Sequence, residues 1–313
     1  MEHLEMVDVS ILIVCYKSRD LILQCLRGVF LYTQGCTYEV LLLDCSNDGS
    51  VQLVEAEYPA VRIIENSENL GFGRGNNKLA EHALGRFLLL LNPDVIVTDN
   101  AVGEIYRTAV AMPHAGAVGG WTKLPDGRRD PGCRQTIPTV WRLLIAAFGG
   151  AKYLNGALPE TAKEAAEVET LTGAFMLVNA DAWRKVGGFD TSFFMYSEEL
   201  DLCQRLRQQG WAIVMTPRAE VIHLVGGGSG QSPQRIQLIA TARMHYFRKF
   251  WSRPKVLMGG AVLWFHGLIR VIGGTIGGLV LRRERARKLR NGYSAIVFQP
   301  WTWWYGFSGR PDK

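Results

Sequence analysis

The chain reads as an α/β protein with a mostly parallel central sheet, followed by a helical C-terminal region. Three observations predict this. Runs of consecutive apolar residues, "VSILIVC" (9–15), "EVLLLD" (39–44), "VRIIE" (61–65) and "FLLLL" (87–91), look like strands. Strands that are apolar throughout belong to a sheet buried on both faces, the usual situation of parallel strands. Stretches of helical periodicity separate them, as βαβ units require. Beyond a Gly/Ser/Pro-rich boundary, "VGGGSGQSP" (225–233), the composition changes and helical patterns take over.

The elements follow in order. After the first strand, Ile22, Leu26, Val29 and Phe30 recur at helical spacing between Ser18 and Thr33, with Ser18 and Asp20 as possible caps. The second strand ends in the turn-rich "CSNDGS", and the glycine-rich "NLGFGRGNN" follows the third. The fourth stops abruptly at Asn92-Pro93-Asp94. From Ala115 to Pro159 the pattern weakens, with "LPDGRRDPG" a loop. "VETLTGAFMLVNADAWRKVGGFD" resumes a strand and then a helix from about Asp181. "SEELDLCQRLRQQGW" is a helix stopped by Gly210, and "AIVMT" and "AEVIHL" are short strands. The expected division is an α/β domain over 8–230 and a helical region over 231–313.

Composition narrows the class. At 48% hydrophobic and 20% charged, the 313 residues describe a globular chain with a substantial core. The six cysteines show neither C-x-x-C pairs nor metal-finger spacing, which suggests a reduced, cytosolic compartment. The acidic N-terminus has no apolar stretch of the kind a secretory signal needs. Net charge is a mild +6, but "RRERARKLR" (282–290) packs six cations around one anion. Such a cluster favours an anionic surface, membrane or nucleic acid, unless it is simply a solvated helix face.

In a parallel sheet ligands bind beyond the carboxyl ends of the strands. Tyr16 and Lys17, Asp44 to Ser50, and Asn92-Pro93-Asp94 all follow strands, so they should share one rim. Asp44 could accept hydrogen bonds from a nucleobase or ribose there. Asp48 fits an Asx turn at least as well as a ligand contact. The glycines of "NLGFGRGNN" permit close backbone approach to a ligand, and the helix start behind them favours phosphate. Gly73, Arg74 and Asn77 of this segment, with Asn92, are the further candidates for contact with a ligand at this rim. The glycine spacing does not match the dinucleotide G-x-G-x-x-G, which argues against a dehydrogenase. Glu198, Glu199 and Asp201 crowd the start of a helix, where the helix dipole alone would favour acids. Being adjacent, Glu198 and Glu199 point in different directions, so one can face the rim. His223 closes a strand, and within reach of Asp94 it would make a mixed oxygen and nitrogen site for Mn²⁺ or Mg²⁺.

These segments, in register from residue 9 to about 230, resemble the family-two glycosyltransferases of GT-A fold, and among them the rhamnosyltransferase-type enzymes. The resemblance rests on "VSILIVCYKSRD", "EVLLLDCSNDGS", "ENLGFGRGNN", "LLLLNPD", "LTGAFMLVNADAWRKVGGFD", "FFMYSEELDLCQRLRQQGW" and "VIHLVGGGSG". It implies inverting transfer of a sugar from a nucleoside diphosphate donor, with dTDP-rhamnose the first choice and a UDP-hexose the alternative. Tyr16 and Asp44 would contact the nucleoside, and Asp94 takes the place of the last aspartate of the metal-binding D-x-D. Glu199 falls at the catalytic base, with Glu198 in reserve, and His223 matches a histidine that ligates the metal in some members. Asn92 departs from the first aspartate of D-x-D, and Lys17 stands where Asn often follows the tyrosine.

The C-terminal region adds "VLMGGAVLWFHGLIRVIGGTIGGLVL" (256–281), long enough to span a bilayer but interrupted by His266 and Arg270. A monotopic or re-entrant hairpin, a soluble packing or dimerisation surface, and a true span all remain open. A membrane-facing tail suits a glycan acceptor carried on a polyprenyl diphosphate and a location at the cytoplasmic face of the membrane. The apolar stretch directly before the basic run disfavours nucleic acid. A non-catalytic sugar-nucleotide-binding protein of the same fold is the competing class, and homo-oligomerisation is compatible with the sequence.

Overall fold

The structure of the protein, a computed structural model, describes residues 7–130, 136–150, 158, 161–224, 232–279 and 284–307. Residues 225–231 of the expected boundary, 131–132 of the expected loop, and Arg282 and Arg283 of the basic run lie outside the described residues.

The chain divides into two compact units. The first comprises Met1–Thr136, Gly156–Asp190 and Glu199–Gly227. Its elements are β1 (Val9–Cys15), α1 (Arg19–Tyr32), β2 (Tyr38–Asp44), α2 (Ser50–Glu57), β3 (Arg62–Ile63), α3 (Gly71–Glu81), β4 (Phe87–Leu91), β5 (Val95–Val97), α4 (Ala101–Ala111) and β6 (Ala115–Lys123). With α5 (Val140–Ala147) assigned to the second unit, it continues with β7 (Ala166–Glu167), β8 (Phe175–Asn179), α6 (Ala180–Val186), α7 (Glu198–Gln208, whose first residue groups with the second unit) and β9 (Ala212–His223).

The strands form one sheet in the order β3-β2-β1-β4-β8-β6-β9-β5, with β7 on β9. Strands β3, β2, β1 and β4 are mutually parallel, as is the β6/β9 pair. Antiparallel β8 joins the two parallel groups, and β5 and β7 run antiparallel to β9. Alternate residues supply two separate cores. Val9, Ile11, Ile13, Val40, Leu42, Phe87, Leu89 and Leu91 pack on one face. Leu12, Leu41, Leu43, Leu88 and Leu90 pack on the other. This explains why these strands carry apolar residues at every position: each face has helices to cover it.

Several elements differ from the sequence reading. The third strand shrinks to Arg62–Ile63. "AIVMT" and "AEVIHL" belong to one strand, β9, whose register on β6 shifts where Met215 gives way to Glu220. Pro217 lies in that shift, and a proline cannot donate to the ladder. β6, "AGAVGGWTK", escaped notice because its small residues carry little hydrophobic signal. Its glycines leave room for neighbours: a Cβ on Gly116 would sit 2.6 Å from Trp211, and one on Gly119 2.8 Å from Leu171. The glycine-rich "GFGRGNN" is itself the opening of α3 rather than a loop before it. A Cβ on Gly75 would lie 2.9 Å from both methyls of Val14, so α3 rides directly on β1.

The second unit comprises Ile137–Asn155, Thr191–Glu198 and Gly228–Lys313. It holds α5, α8 (Pro233–Phe250), α9 (Arg253–Leu279), α10 (Glu284–Phe298) and a 3₁₀ turn, Pro300–Thr302. Ser232 caps α8 by accepting from the Arg235 amide at 3.2 Å. α10 folds back along α9: Trp264 Nε1 donates to Val297 O at 3.1 Å, and a Cβ on Gly274 would meet the Ala286 carbonyl at 2.7 Å. Segment 191–198 is held by Ser192 Oγ, 2.8 Å from His245 Nε2, and by Phe193 edge-on to the His245 ring.

Gly75→Ala is expected to lose about 1–3 kcal/mol, since the stiff β-branched Val14 cannot retreat from the new methyl. Urea denaturation midpoints of the two proteins check this; an unchanged midpoint contradicts the close packing.

Candidate active site

Parallel register brings the carboxyl ends of β1 and β2 to one rim, with Cys15 opposite Asp44 and the Cys45 amide donating to Cys15 O at 2.8 Å. The buried Asp44 is oriented by its own turn: its Oδ1 accepts from the Ser46 amide at 3.0 Å and from Ser46 Oγ at 2.8 Å. It opens on a cavity of about 700 Å³ lined also by Asn47, Val51, Ile63, Ile64, Asn66 and Leu70. Gln52, Glu65, Ser67, Glu68 and Lys78 complete a lining that mixes apolar walls with carboxylates and amides, and such a mixture suits a nucleoside. Tyr16 stands at the same rim, half-exposed, and Lys17 N donates to Ser46 Oγ at 2.8 Å.

Asp48 has a structural use. One oxygen accepts from the Arg19 amide at 3.2 Å, at the start of α1. The other accepts from Ser50 N at 3.0 Å and Ser50 Oγ at 2.5 Å, at the start of α2. Partial burial opposes its charge, but these bonds prevail and hold its pKa below the usual carboxylate range. Asp48, not Ser18, thus completes the N-terminus of α1, where Ser18 makes no side-chain cap.

The α3 candidates separate in the same way. Asn77 is committed to the protein: its Nδ2 donates to Phe189 O and its Oδ1 accepts from Phe189 N, both at 2.8 Å. Gly73 makes room for Phe189, whose Cβ would lie 3.3 Å from an added methyl. Arg74 is exposed on the helix surface.

Asn92-Pro93-Asp94 is a tight turn, with Val95 N donating to Asn92 O at 3.1 Å. Asn92 N donates to Ala174 O at 3.0 Å, which ties the turn to the start of β8. β5 then pairs with β9 so that Val95 faces His223, and Leu224 N donates to Asp94 O at 3.0 Å. This register sets the Asp94 carboxylate against the imidazole: Oδ1 lies 3.3 Å from His223 Nε2. On the other edge of the ring, Asp130 Oδ2 lies 3.7 Å from Nδ1. All three side chains are largely buried, at 14–18% exposure. Burial would lower the His223 pKa, but the two carboxylates outweigh it and push it up to about 9.

Asp130 was missed in the sequence. It arrives on the return of a short hairpin from β6, where Asp130 N donates to Thr122 O at 2.8 Å and Lys123 bridges Arg129. The Pro-Asp-Gly at the hairpin tip was the available signal. Among the described residues no three His, Cys, Asp or Glu side chains converge on one point as a closed metal cage. Asp94 and His223 Nε2 do converge as a pair, with Asp130 behind the ring. Such an open pair fits a cation like Mn²⁺ or Mg²⁺, which completes its shell with waters and substrate phosphates.

The two glutamates differ in setting. Glu198 is buried at 5% exposure, whereas Glu199 is half-buried. Glu199 lies over the loop before β8: a Cβ on Gly173 would be 3.8 Å from the Glu199 Cβ and 2.9 Å from the Phe72 ring. Since Ala174 follows Gly173 and receives the Asn92 amide, this loop links Glu199 to the Asn92–Asp94 turn. Asp201 is fully buried and pairs with Arg205 at 2.6 Å, whose other N–H groups bond Val186 O and Gly188 O. Among the described residues, the non-glycine left-handed backbones are Lys17, Asn47, Tyr196 and Ser197. They follow β1 and β2 or immediately precede α7. Side chains other than Gly, Asn and Asp resist this conformation, and it concentrates where a site fixes its loops.

A cavity past β2 and a carboxylate–imidazole pair past β4 and β9, both at the carboxyl rim of a mixed α/β sheet, fit the arrangement of a GT-A transferase. The comparisons agree. The family model described as glycosyltransferase like family 2 matches residues 7–242. The N-acetylglucosaminyl-diphospho-decaprenol L-rhamnosyltransferase of Mycobacterium tuberculosis is 32% identical over 277 residues, 80% of this chain and 87% of the relative. A low-salt glycan biosynthesis hexosyltransferase of Haloferax volcanii is 25% identical over 222 residues, 69% of this chain and 67% of the relative. A mannosyltransferase of Pyrobaculum calidifontis, solved with GDP-Man and Mn²⁺, superposes with a TM-score of 0.62 at 14% identity, covering 93% of this chain and 85% of the other. The chain belongs to glycosyltransferase family 2, and it is a glycosyltransferase of GT-A fold.

The raised His223 pKa has a definite sign. Its folded value of about 9 lies above the unfolded reference of 6.5, so protonated His223 stabilises the metal-free fold fully below pH 6.5. That contribution disappears as pH rises through 9. NMR titration of the His223 imidazole without metal should give a midpoint near 9, and Asp94→Asn should lower it. A midpoint near 6.5 in the unaltered protein contradicts the carboxylate pairing.

Proposed function

We propose that the protein transfers a sugar, rhamnose from dTDP-rhamnose, with inversion, to an acceptor carried on a polyprenyl diphosphate at the cytoplasmic face of a membrane. The observation that carries a metal-assisted transfer is the Asp94–His223 pair at the rim. The relative that acts as an L-rhamnosyltransferase on a decaprenol-linked substrate supports the sugar and the acceptor class.

Asp44 and Tyr16 bind the nucleoside in the cavity beyond β2. Asp94 and His223 would hold a divalent cation, which supplies Lewis-acid stabilisation of the charge building on the departing diphosphate. Asp130 keeps the imidazole turned toward Asp94. Asn92 makes its contribution through the backbone, setting the turn that aims Asp94. Glu199 takes the proton from the acceptor hydroxyl as that oxygen attacks the anomeric carbon. One base suffices for a single displacement, so the product has inverted configuration. The burial of Glu198 makes Glu199 the better placed of the two.

Glu199→Gln should reduce turnover by roughly 10²–10⁴-fold, the scale of general base catalysis, with donor affinity retained. Isothermal titration with the donor and a nucleoside diphosphate release assay measure the two separately. Near-normal turnover in the purified variant removes Glu199 from the role. The same release assay, run with dTDP-rhamnose beside several UDP-sugars and with Mn²⁺ or Mg²⁺ added or chelated, tests the donor and the metal. Release from no donor under any metal condition favours a binding protein instead.

A further inference from the structure

We propose that α9 lies in the plane of an anionic lipid bilayer, with one apolar face in the acyl region, and does not cross it. The proposal deepens the lipid-linked acceptor reading by naming the surface that meets the membrane, and its test uses neither donor nor turnover.

Length and composition alone would let α9 span: within Arg253–Gly278 an 18-residue window has a mean hydropathy of 1.6, with only 33% of it buried. Its exposed residues form a stripe. Leu257, Met258, Phe265, Ile272 and Ile276 are 37–59% exposed; Met258, Phe265, Ile272 and Ile276 follow one another at intervals of seven, seven and four, and with Leu257 beside Met258 they share one helix face. Val256, Val262, Leu263 and Val271 are buried on the opposite side. The two polar residues that interrupt the apolar run are turned away from the stripe. Arg270 Nη1 donates to Ala147 O and His266 O, both at 3.3 Å, and its guanidinium lies 5.6 Å from the Tyr293 ring centre. The stripe is therefore free of charge along its length.

The neighbours of α9 decide between lying flat and crossing. α10 packs along it through Gly274, Gly277 and Gly278, and carries the exposed ion pair Lys288–Glu284, 76% and 80% exposed. A span would carry this companion helix toward the hydrocarbon, where each charge at the centre costs about 2.5–3.5 kcal/mol. Lying flat leaves those charges in water and puts only the stripe into lipid. Aromatic side chains suited to the interface stand exposed on the same unit: Trp141 and Phe148 are 71% and 72% exposed, and Phe148 contacts Phe265 edge-on. Trp301 and Tyr305 are similarly exposed.

Charge identifies the occupant as anionic lipid rather than a second copy of the chain. From residue 233 onward the sequence has 15 Lys or Arg against 2 Asp or Glu, whereas residues 1–232 have 20 against 27. An anionic leaflet attracts such a segment by about 1 kcal/mol per basic residue near its surface, while two copies of it repel.

The test uses the full chain and vesicles of phosphatidylcholine with or without phosphatidylglycerol. Cosedimentation should be strong only when phosphatidylglycerol is present. The triple variant Leu257→Glu, Ile272→Glu, Ile276→Glu should weaken it by roughly a hundredfold or more. Circular dichroism and the melting temperature show whether the variant stays folded. Because its changes sit at exposed positions, Lys255→Gln with Lys288→Gln supplies a milder second variant, expected to weaken binding to anionic vesicles only. Nitroxide amino acids at 257, 265, 272 and 276 should report one shallow depth by power-saturation EPR. A label at 265 near the bilayer centre with 257 and 276 at its edges means α9 spans, and overturns the proposal. Equal binding by the folded triple variant, or dimers in place of vesicle binding, overturns it as well.

Discussion

A sheet covered on both faces has only its ends left for chemistry. In this chain β1, β2 and β4 send alternate side chains into two apolar cores, and the one carboxylate before their ends, Glu39 at the half-buried start of β2, is paired with Arg62 and Ser10. Asp44 and Asp94 stand immediately past the last apolar residue of their strands or in the turn beyond. Parallel register puts these endings side by side. The antiparallel strand β8 begins where β4 ends, with Phe175 opposite Leu91, and so brings the loop under Glu199 to the same edge. Every candidate group for donor binding, metal and base follows from this one restriction.

Much of this was legible because burial writes itself into consecutive apolar letters. The first four strands, the helices covering them and the rim residues Tyr16, Asp44 and Asp94 came from that signal, and the order of segments gave the family. What stayed hidden depended on partners distant in sequence. Asp48 and Asn77 carry residue types that suit a ligand site, yet both are occupied by backbone groups, at α1 and α2 and at Phe189 respectively. No local pattern states that occupancy. β6 was obscured for the opposite reason: its glycines yield their volume to Trp211 and Leu171, so the hydrophobicity resides in the neighbours.

Asp130 illustrates a third kind of concealment. Its chemistry arises only from its place behind His223, and a hairpin off β6 delivers it there. The carboxylate–imidazole–carboxylate row differs from a chain of equal members. Asp94 lies 3.3 Å from one ring nitrogen and Asp130 3.7 Å from the other, so the two acids hold unequal places on the ring. The same economy governs the loops: Lys17, Tyr196 and Ser197 hold unfavourable backbone angles that the surrounding structure must enforce.

The pairing of β5 with β9 also has a bearing on folding order. Val95 and His223 face each other although half of the first unit lies between them in sequence. Contacts of such separation carry a large loop-closure cost and form late. Asp94 is in place early, on a turn of local origin, while its histidine arrives with the last strand of the sheet. The Asp94–His223 pair is complete only once β5 and β9 have met, so the metal binding proposed for it, followed during refolding, would be a timer for completion of the sheet.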